Sequence, residues 1–222
     1  MKIEEKIYTF LCVMFTVTIV LNNLTYQKFV KLLLPFNQVE ISVGAILYPI
    51  TFLITDLIAE LYGKAKANFC VTTSIFLNLI VVMIIFIMDS LPATSWSKIN
   101  DSTFHNVFGF YGVAFVGSIL ACYISQTLDV YLYISIKKLT KNSLLWLRNL
   151  GSTSISLFID TCVVIIFLTL FGILEKEHML ELIINSYSWK LFFTFCSVPI
   201  FYILVSVSRL IMRQNSDKIL AN

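Results

Sequence analysis

Long apolar runs alternate with short polar connections along this chain, and they predict membrane-spanning helices over 7–24, 41–62, 68–88, 106–136, 149–172 and 187–210. Each run is at least as long as the roughly 17 residues that a helix needs to cross the hydrocarbon core of a bilayer. A helix satisfies its own backbone hydrogen bonds where no water is available, so the predicted fold class is all-α. The expected protein is integral to the membrane, a single domain over 1–222 with six transmembrane helices. The 106–136 run is longer than one span requires. Either it is strongly tilted, or its first turns, around Phe108, Gly109, Phe110, Tyr111 and Gly112, lie in the interface. The first run follows a charged leader, Met1 to Lys6, and ends at Asn22-Asn23 without a small-x-small cleavage site, which predicts a retained helix rather than a signal peptide.

Polar residues interrupt these runs in register. Pro49, Asp56 and Glu60 are spaced seven and four residues apart, so they share one helix face and leave the opposite face for lipid. The proline deprives the carbonyl of Ala45 of its helical donor, which suggests a helix broken beside a binding cavity. In the fourth run Ser125 and Asp129 stack with Gln126 beside them, and in the fifth Thr153, Ser156 and Asp160 form a stripe. Asp56, Asp129 and Asp160 lie roughly 12 to 18 Å from the nearest basic flank at 1.5 Å per residue, close to the midplane. Carboxylates at that depth are expensive and mark substrate or proton pathways. Glu60 stands one turn before Lys64, so an interfacial ion pair and a functional role are both open. Gln126 is equally open, since an amide serves helix packing or a substrate.

Composition agrees with a membrane protein: 58% of the residues are hydrophobic and 13% charged, with a mean hydropathy of +0.86. Soluble domains carry about 25% charged residues. The net charge of +3 comes from residues flanking the spans, so nothing points to a nucleic-acid partner. Lys2, Lys6, Lys64, Lys66, Lys137, Lys138, Lys141, Arg148, Arg209, Arg213 and Lys218 fall on one side of the predicted spans, against Lys28, Lys31, Lys98, Lys176 and Lys190 on the other. That bias predicts both termini in the cytoplasm. Cys12, Cys70, Cys122, Cys162 and Cys196 stand apart, and His105 and His178 fall in connections, so neither a metal site nor a disulfide framework is expected. No cofactor is expected, and no phosphate-binding GxxxxGK[ST] run occurs.

The run from Pro49 through Asp56, Glu60, Tyr62, Gly63 and Lys64 resembles the signature of the queuosine precursor transporter family, a branch of the vitamin uptake transporters. Arg148-Asn149, Ser156 and Asp160-Thr161 give a second match. The resemblance implies an importer of 7-deazaguanine bases, such as 7-cyano-7-deazaguanine, 7-aminomethyl-7-deazaguanine or queuine, in a bacterial inner membrane. The resemblance and the depth and spacing of the polar groups together give Asp56, Glu60, Gln126, Asp129, Ser156 and Asp160 as the candidate substrate-binding or coupling residues, with Pro49 as the helix break. The alternative is a substrate-binding subunit of an energy-coupling-factor type importer. Expected partners are the substrate and the bilayer, and a second copy or an energising complex stays open. Because the deep positions read from the sequence include no Lys, Arg or His, a neutral or cationic solute is expected.

Overall fold

The computed structural model of the protein describes residues 3–26, 28–35, 38–108, 111–172 and 174–220. Within them six helical segments are long and apolar enough to cross a membrane. They are α1 (Ile3–Thr25), the broken pair α2 (Val43–Ile46) and α3 (Pro49–Tyr62), α4 (Lys64–Asp89), α6 (Tyr111–Leu139), α7 (Leu145–Leu170) and α8 (Met179–Leu220). The short helix α5 (Asp101–Phe108) precedes α6 and buries none of its residues.

The connection after α1 contains the one departure from helical pairing among the described residues, an antiparallel hairpin of β1 (Phe29–Leu33) and β2 (Gln38–Ser42) with Lys31 opposite Glu40. Residues 41–42, expected in the second span, therefore belong to a strand. The reason is visible in the period: Val39 and Ile41 are buried while Gln38 and Glu40 are exposed, an alternation of two rather than 3.6. Val39 and Ile41 join Leu34 against Trp189 and Phe192 of α8. Across the exposed face Lys31 Nζ meets Glu40 Oε1 at 2.9 Å. Their mutual hydrogen bond holds the Glu40 carboxyl below its ordinary pKa and the Lys31 ammonium above its own.

Other boundaries move as well. The 106–136 run is divided, since Phe108 ends α5 and the fourth spanning helix is α6, Tyr111–Leu139; Gly109 and Phe110 lie outside the described residues. The fifth span starts at Leu145, which takes Arg148 out of the connection and into the helix. The sixth starts at Met179 and runs through Pro199 without interruption.

The bundle is organised around α3, which packs against α1, α4, α6, α7 and α8. Its face opposite the acids is not given to lipid: Thr51, Ile54 and Ile58 are buried among protein. Lipid-facing surface falls to outer helices, as with exposed Phe69, Phe76, Met83 and Phe86 on α4. Gly44 lets α2 lie directly on α1, because a Cβ there would stand 2.2 Å from the carbonyl oxygen of Asn22. Gly63, at φ 83°, ends α3 in a conformation that other residues rarely adopt, and α4 begins at the next residue. One end of the bundle thus carries the hairpin, and the other both ends of the chain, where Tyr62 Oη donates to the carbonyl of Glu4.

Candidate functional site

The polar interior is a column running along α3 and α7. On α7, Asn149, Thr153, Ser156 and Asp160 follow one another at four-, three- and four-residue spacing and are all buried, so one stripe meets α3 and α6 along its length. Three layers of side chains hang from this stripe.

The layer nearest the hairpin centres on Asp160. Its Oδ1 accepts from Tyr48 Oη at 2.6 Å and Ser125 Oγ at 3.1 Å, and its Oδ2 accepts from Lys190 Nζ at 2.8 Å. Lys190 Nζ also donates to Thr161 Oγ1 at 3.0 Å and lies 4.9 Å from the centre of the Tyr48 ring. Tyr48 reaches this position because the helix is interrupted between Ile46 and Pro49, with the proline at the first position of α3, where its missing N–H costs nothing. A cavity of about 120 Å³ opens above this layer, lined in part by Tyr26, Phe29, Tyr48, Ser118, Asp160 and Lys190.

These positions correct the expectation that no cation lies deep. Lys190 is 5% exposed and ion-paired to Asp160 inside the bundle. Starting the sixth span at Tyr187 had left Lys190 at its flank, whereas the helix starts eight residues earlier, which at 1.5 Å per residue sinks the ammonium by roughly 12 Å. The signal that finds it is the stripe Lys190, Thr194, Ser197 and Phe201, all buried, at spacings of four, three and four.

The middle layer holds Asp56 and Asp129, whose carboxyl groups adjoin each other between α3 and α6. Asp56 Oδ2 accepts from Asn149 Nδ2 at 2.5 Å and Thr153 Oγ1 at 3.2 Å. Asp129 has Ser152, Thr153 and Ser156 as neighbours, yet neither of its oxygens is in hydrogen-bonding geometry, and Ser156 Oγ is also unpartnered. Gln126 lies between this layer and the cavity: its Nε2 donates to Thr51 Oγ1 and its Oε1 accepts from Thr55 Oγ1, both at 2.9 Å. Both ends of that amide bind α3.

The layer nearest the chain ends centres on Glu60. Oε1 accepts from Arg148 Nη2 at 2.9 Å and from Arg209 Nη2, and Oε2 accepts from Lys137 Nζ at 2.9 Å and Tyr133 Oη at 3.1 Å. The pair with Lys64 that the spacing left open does not form; Lys64 lies over the Tyr131 ring instead. Arg148 Nη1 donates to Asn142 Oδ1 at 3.1 Å, and Asn142 sits in the α6–α7 turn at φ 67°. One carboxylate therefore ties α3 to α6, α7 and α8, and three cations converge on it.

The structure thus brings Asp56, Asp129 and Ser156 into one layer and places Asp160 and Glu60 in the layers on either side. Tyr48, Lys190 and Arg209 join them without having been singled out. Residues 42–204, from the end of β2 through most of α8 and including every residue of the three layers except Arg209, match a family model described as "Putative vitamin uptake transporter". The chain belongs to the vitamin uptake transporter family. It is also 34% identical, over 168 residues, to a protein of Bacillus subtilis (strain 168) named "Probable queuosine precursor transporter", an alignment covering 72% of this chain and 70% of that protein. No solved structure matches the chain. The family is one of transporters rather than enzymes, and its membership agrees with a multi-pass membrane protein whose polar groups line its interior.

Proposed function

We propose that this chain imports queuosine precursors, the 7-deazaguanine bases, into the cytoplasm across a bacterial inner membrane. The observation that carries the reading is the Asp160–Lys190 pair at the floor of the hairpin-end cavity. The edge of a guanine-type base presents a carbonyl acceptor beside a ring N–H and an exocyclic amino group. Lys190 supplies a donor for the carbonyl, and Asp160 supplies acceptor oxygens for the two N–H groups, Oδ2 directly and Oδ1 in place of the Tyr48 or Ser125 hydroxyl. Tyr26, Phe29 and Tyr48 offer aromatic walls for the ring. Because the ammonium is already balanced by Asp160, the pair carries no net charge and favours a neutral base or one with a cationic arm. An anionic nucleotide would find no uncompensated cation there.

Orientation follows from the basic residues gathered at the end that carries the chain termini. On that reading the cavity faces outward and the Glu60 cluster closes the cytoplasmic end. Reporter fusions after Lys66, after Lys141 and at the C-terminus should report cytoplasm, and fusions near Asp101 and Glu177 the opposite side. A cytoplasmic signal at Asp101 would sink the six-span topology.

The direct test is uptake of labelled 7-deazaguanine bases by an uptake-deficient host expressing this chain alone. Accumulation competed by free base but not by guanine nucleotides is expected. Accumulation only when a separate energising complex is supplied would favour the subunit alternative, and equal competition by a nucleotide would contradict the proposed recognition.

A further inference from the structure

We propose that the site between Asp56 of α3 and Asp129 of α6, with Asn149 of α7 on Asp56 and Ser156 of α7 beside Asp129, binds one small hard cation, a proton or a sodium ion, whose entry drives uptake. This rests on the importer reading above and adds its energy source. Asp129 Oδ1 and Oδ2, Asp56 Oδ1, Asn149 Oδ1 and Ser156 Oγ are buried without a hydrogen-bond partner. Apart from Asn68 Oδ1, every buried side-chain oxygen in that condition among the described residues belongs to one of these four residues. Buried acceptors are ordinarily matched with donors, as the neighbouring Thr51, Thr55 and Gln126 are. Unmatched oxygens on two adjoining carboxyls are matched instead by a cation, and carboxylate oxygens with an amide or hydroxyl oxygen beside them form a hard donor set.

Charge leads to the same conclusion. Two adjoining carboxyl groups repel unless a proton or metal ion lies between them. The titratable groups facing the site are Asp56 and Asp129 themselves. Tyr133 and the Glu60–Arg148 pair lie one turn toward the chain ends, while on the hairpin side Asp160 is paired with Lys190 of α8. Neither nearby base hydrogen-bonds to the two carboxyls: Arg148 binds Glu60 and Asn142, and Lys190 binds Asp160 and Thr161. Neither Asp56 nor Asp129 lines the cavity, so cation and substrate occupy separate layers. They share α7, which presents Asp160 to one and Ser156 and Asn149 to the other, so that ordering either layer bears on the same helix.

The test uses the full chain in proteoliposomes with a labelled 7-deazaguanine base. Exchange of label against unlabelled base at equal concentration reads the importer function alone; accumulation under an inward sodium gradient or an inward pH gradient reads the coupling. Wild type is expected to accumulate base under one gradient, and which one identifies the ion. Typical coupling spans about 5–150-fold, so Asp129→Asn should lose accumulation by at least about tenfold while exchange falls far less. Ser156→Ala, a milder change, should show the same split if Asp129→Asn folds poorly. Accumulation indifferent to both gradients overturns the proposal, as does loss of exchange in step with accumulation in both variants. A wild type that exchanges no base overturns the importer reading instead. The cation site is then decided without substrate, by whether sodium chloride rather than choline chloride, or lowered pH, raises the unfolding temperature of wild type but not of Asp129→Asn; no such rise overturns it too.

Discussion

Lys190→Met is expected to abolish accumulation of base and to destabilise the protein, while Asp160→Asn in the same chain should recover much of the stability and none of the transport. Removing one partner of a buried ion pair strands the other charge, and such changes cost about 3–5 kcal/mol. In Lys190→Met the Asp160 carboxylate keeps Tyr48 and Ser125 as donors but loses its counter-charge in a site that is almost fully buried. Removing both charges leaves a neutral amide beside two hydroxyls, so the double variant should be far less destabilised than the sum of the single ones. Thermal unfolding in detergent and uptake in cells separate the two effects. Wild-type uptake by Lys190→Met, at normal protein level, would remove the pair from the substrate site.

That hydropathy leaves Lys190 at the surface shows where such reading stops. The apolar runs reveal the six helices long and apolar enough to cross a membrane, because about 20 consecutive apolar residues have few other uses. Helix ends are harder, since polar residues extend a helix past the lipid as readily as apolar ones. The first two turns of α8 contain Glu181, Asn185 and Ser186, and the sequence therefore places its start at Tyr187 and its lysine at the surface. The hairpin is missed for a related reason: Ile41 reads as the first apolar residue of a span, and only its alternation with Gln38, Val39 and Glu40 reveals the strand. The acids are legible one by one, by their depth and spacing. Their partners are not, because each lies far away in sequence: Asp160 with Tyr48, Asp56 with Asn149, and Glu60 with Arg148 and Arg209. Periodicity says which face a residue occupies, and only packing says what it meets.

Glu60→Gln should be among the most damaging single substitutions in the chain, although it changes the side-chain volume hardly at all. Glu60 is the sole carboxylate among the groups that converge there, and Arg148, Arg209, Lys137 and the Tyr133 hydroxyl all donate to it. A glutamine keeps one acceptor oxygen and turns the other into a donor aimed at cations, so the buried Arg148 guanidinium loses its counter-charge. A loss of about 3–5 kcal/mol is expected, at the scale of breaking a buried pair, whereas Arg209→Met should cost much less because Arg209 is more than half exposed and Arg148 remains in place. Combining Glu60→Gln with Arg148→Met should recover part of the loss by removing the stranded charge. Since this carboxylate links α3 to α6, α7 and α8, its loss should also loosen the end of the bundle that carries the chain termini. Hydrogen exchange at the backbone amides of Tyr133 to Lys137 and Arg148 to Ser152 should quicken, while exchange around Asp160 changes little. Unfolding of Glu60→Gln at the wild-type temperature, with protection at Tyr133 to Lys137 unchanged, would show that the three cations need no carboxylate to hold that end closed.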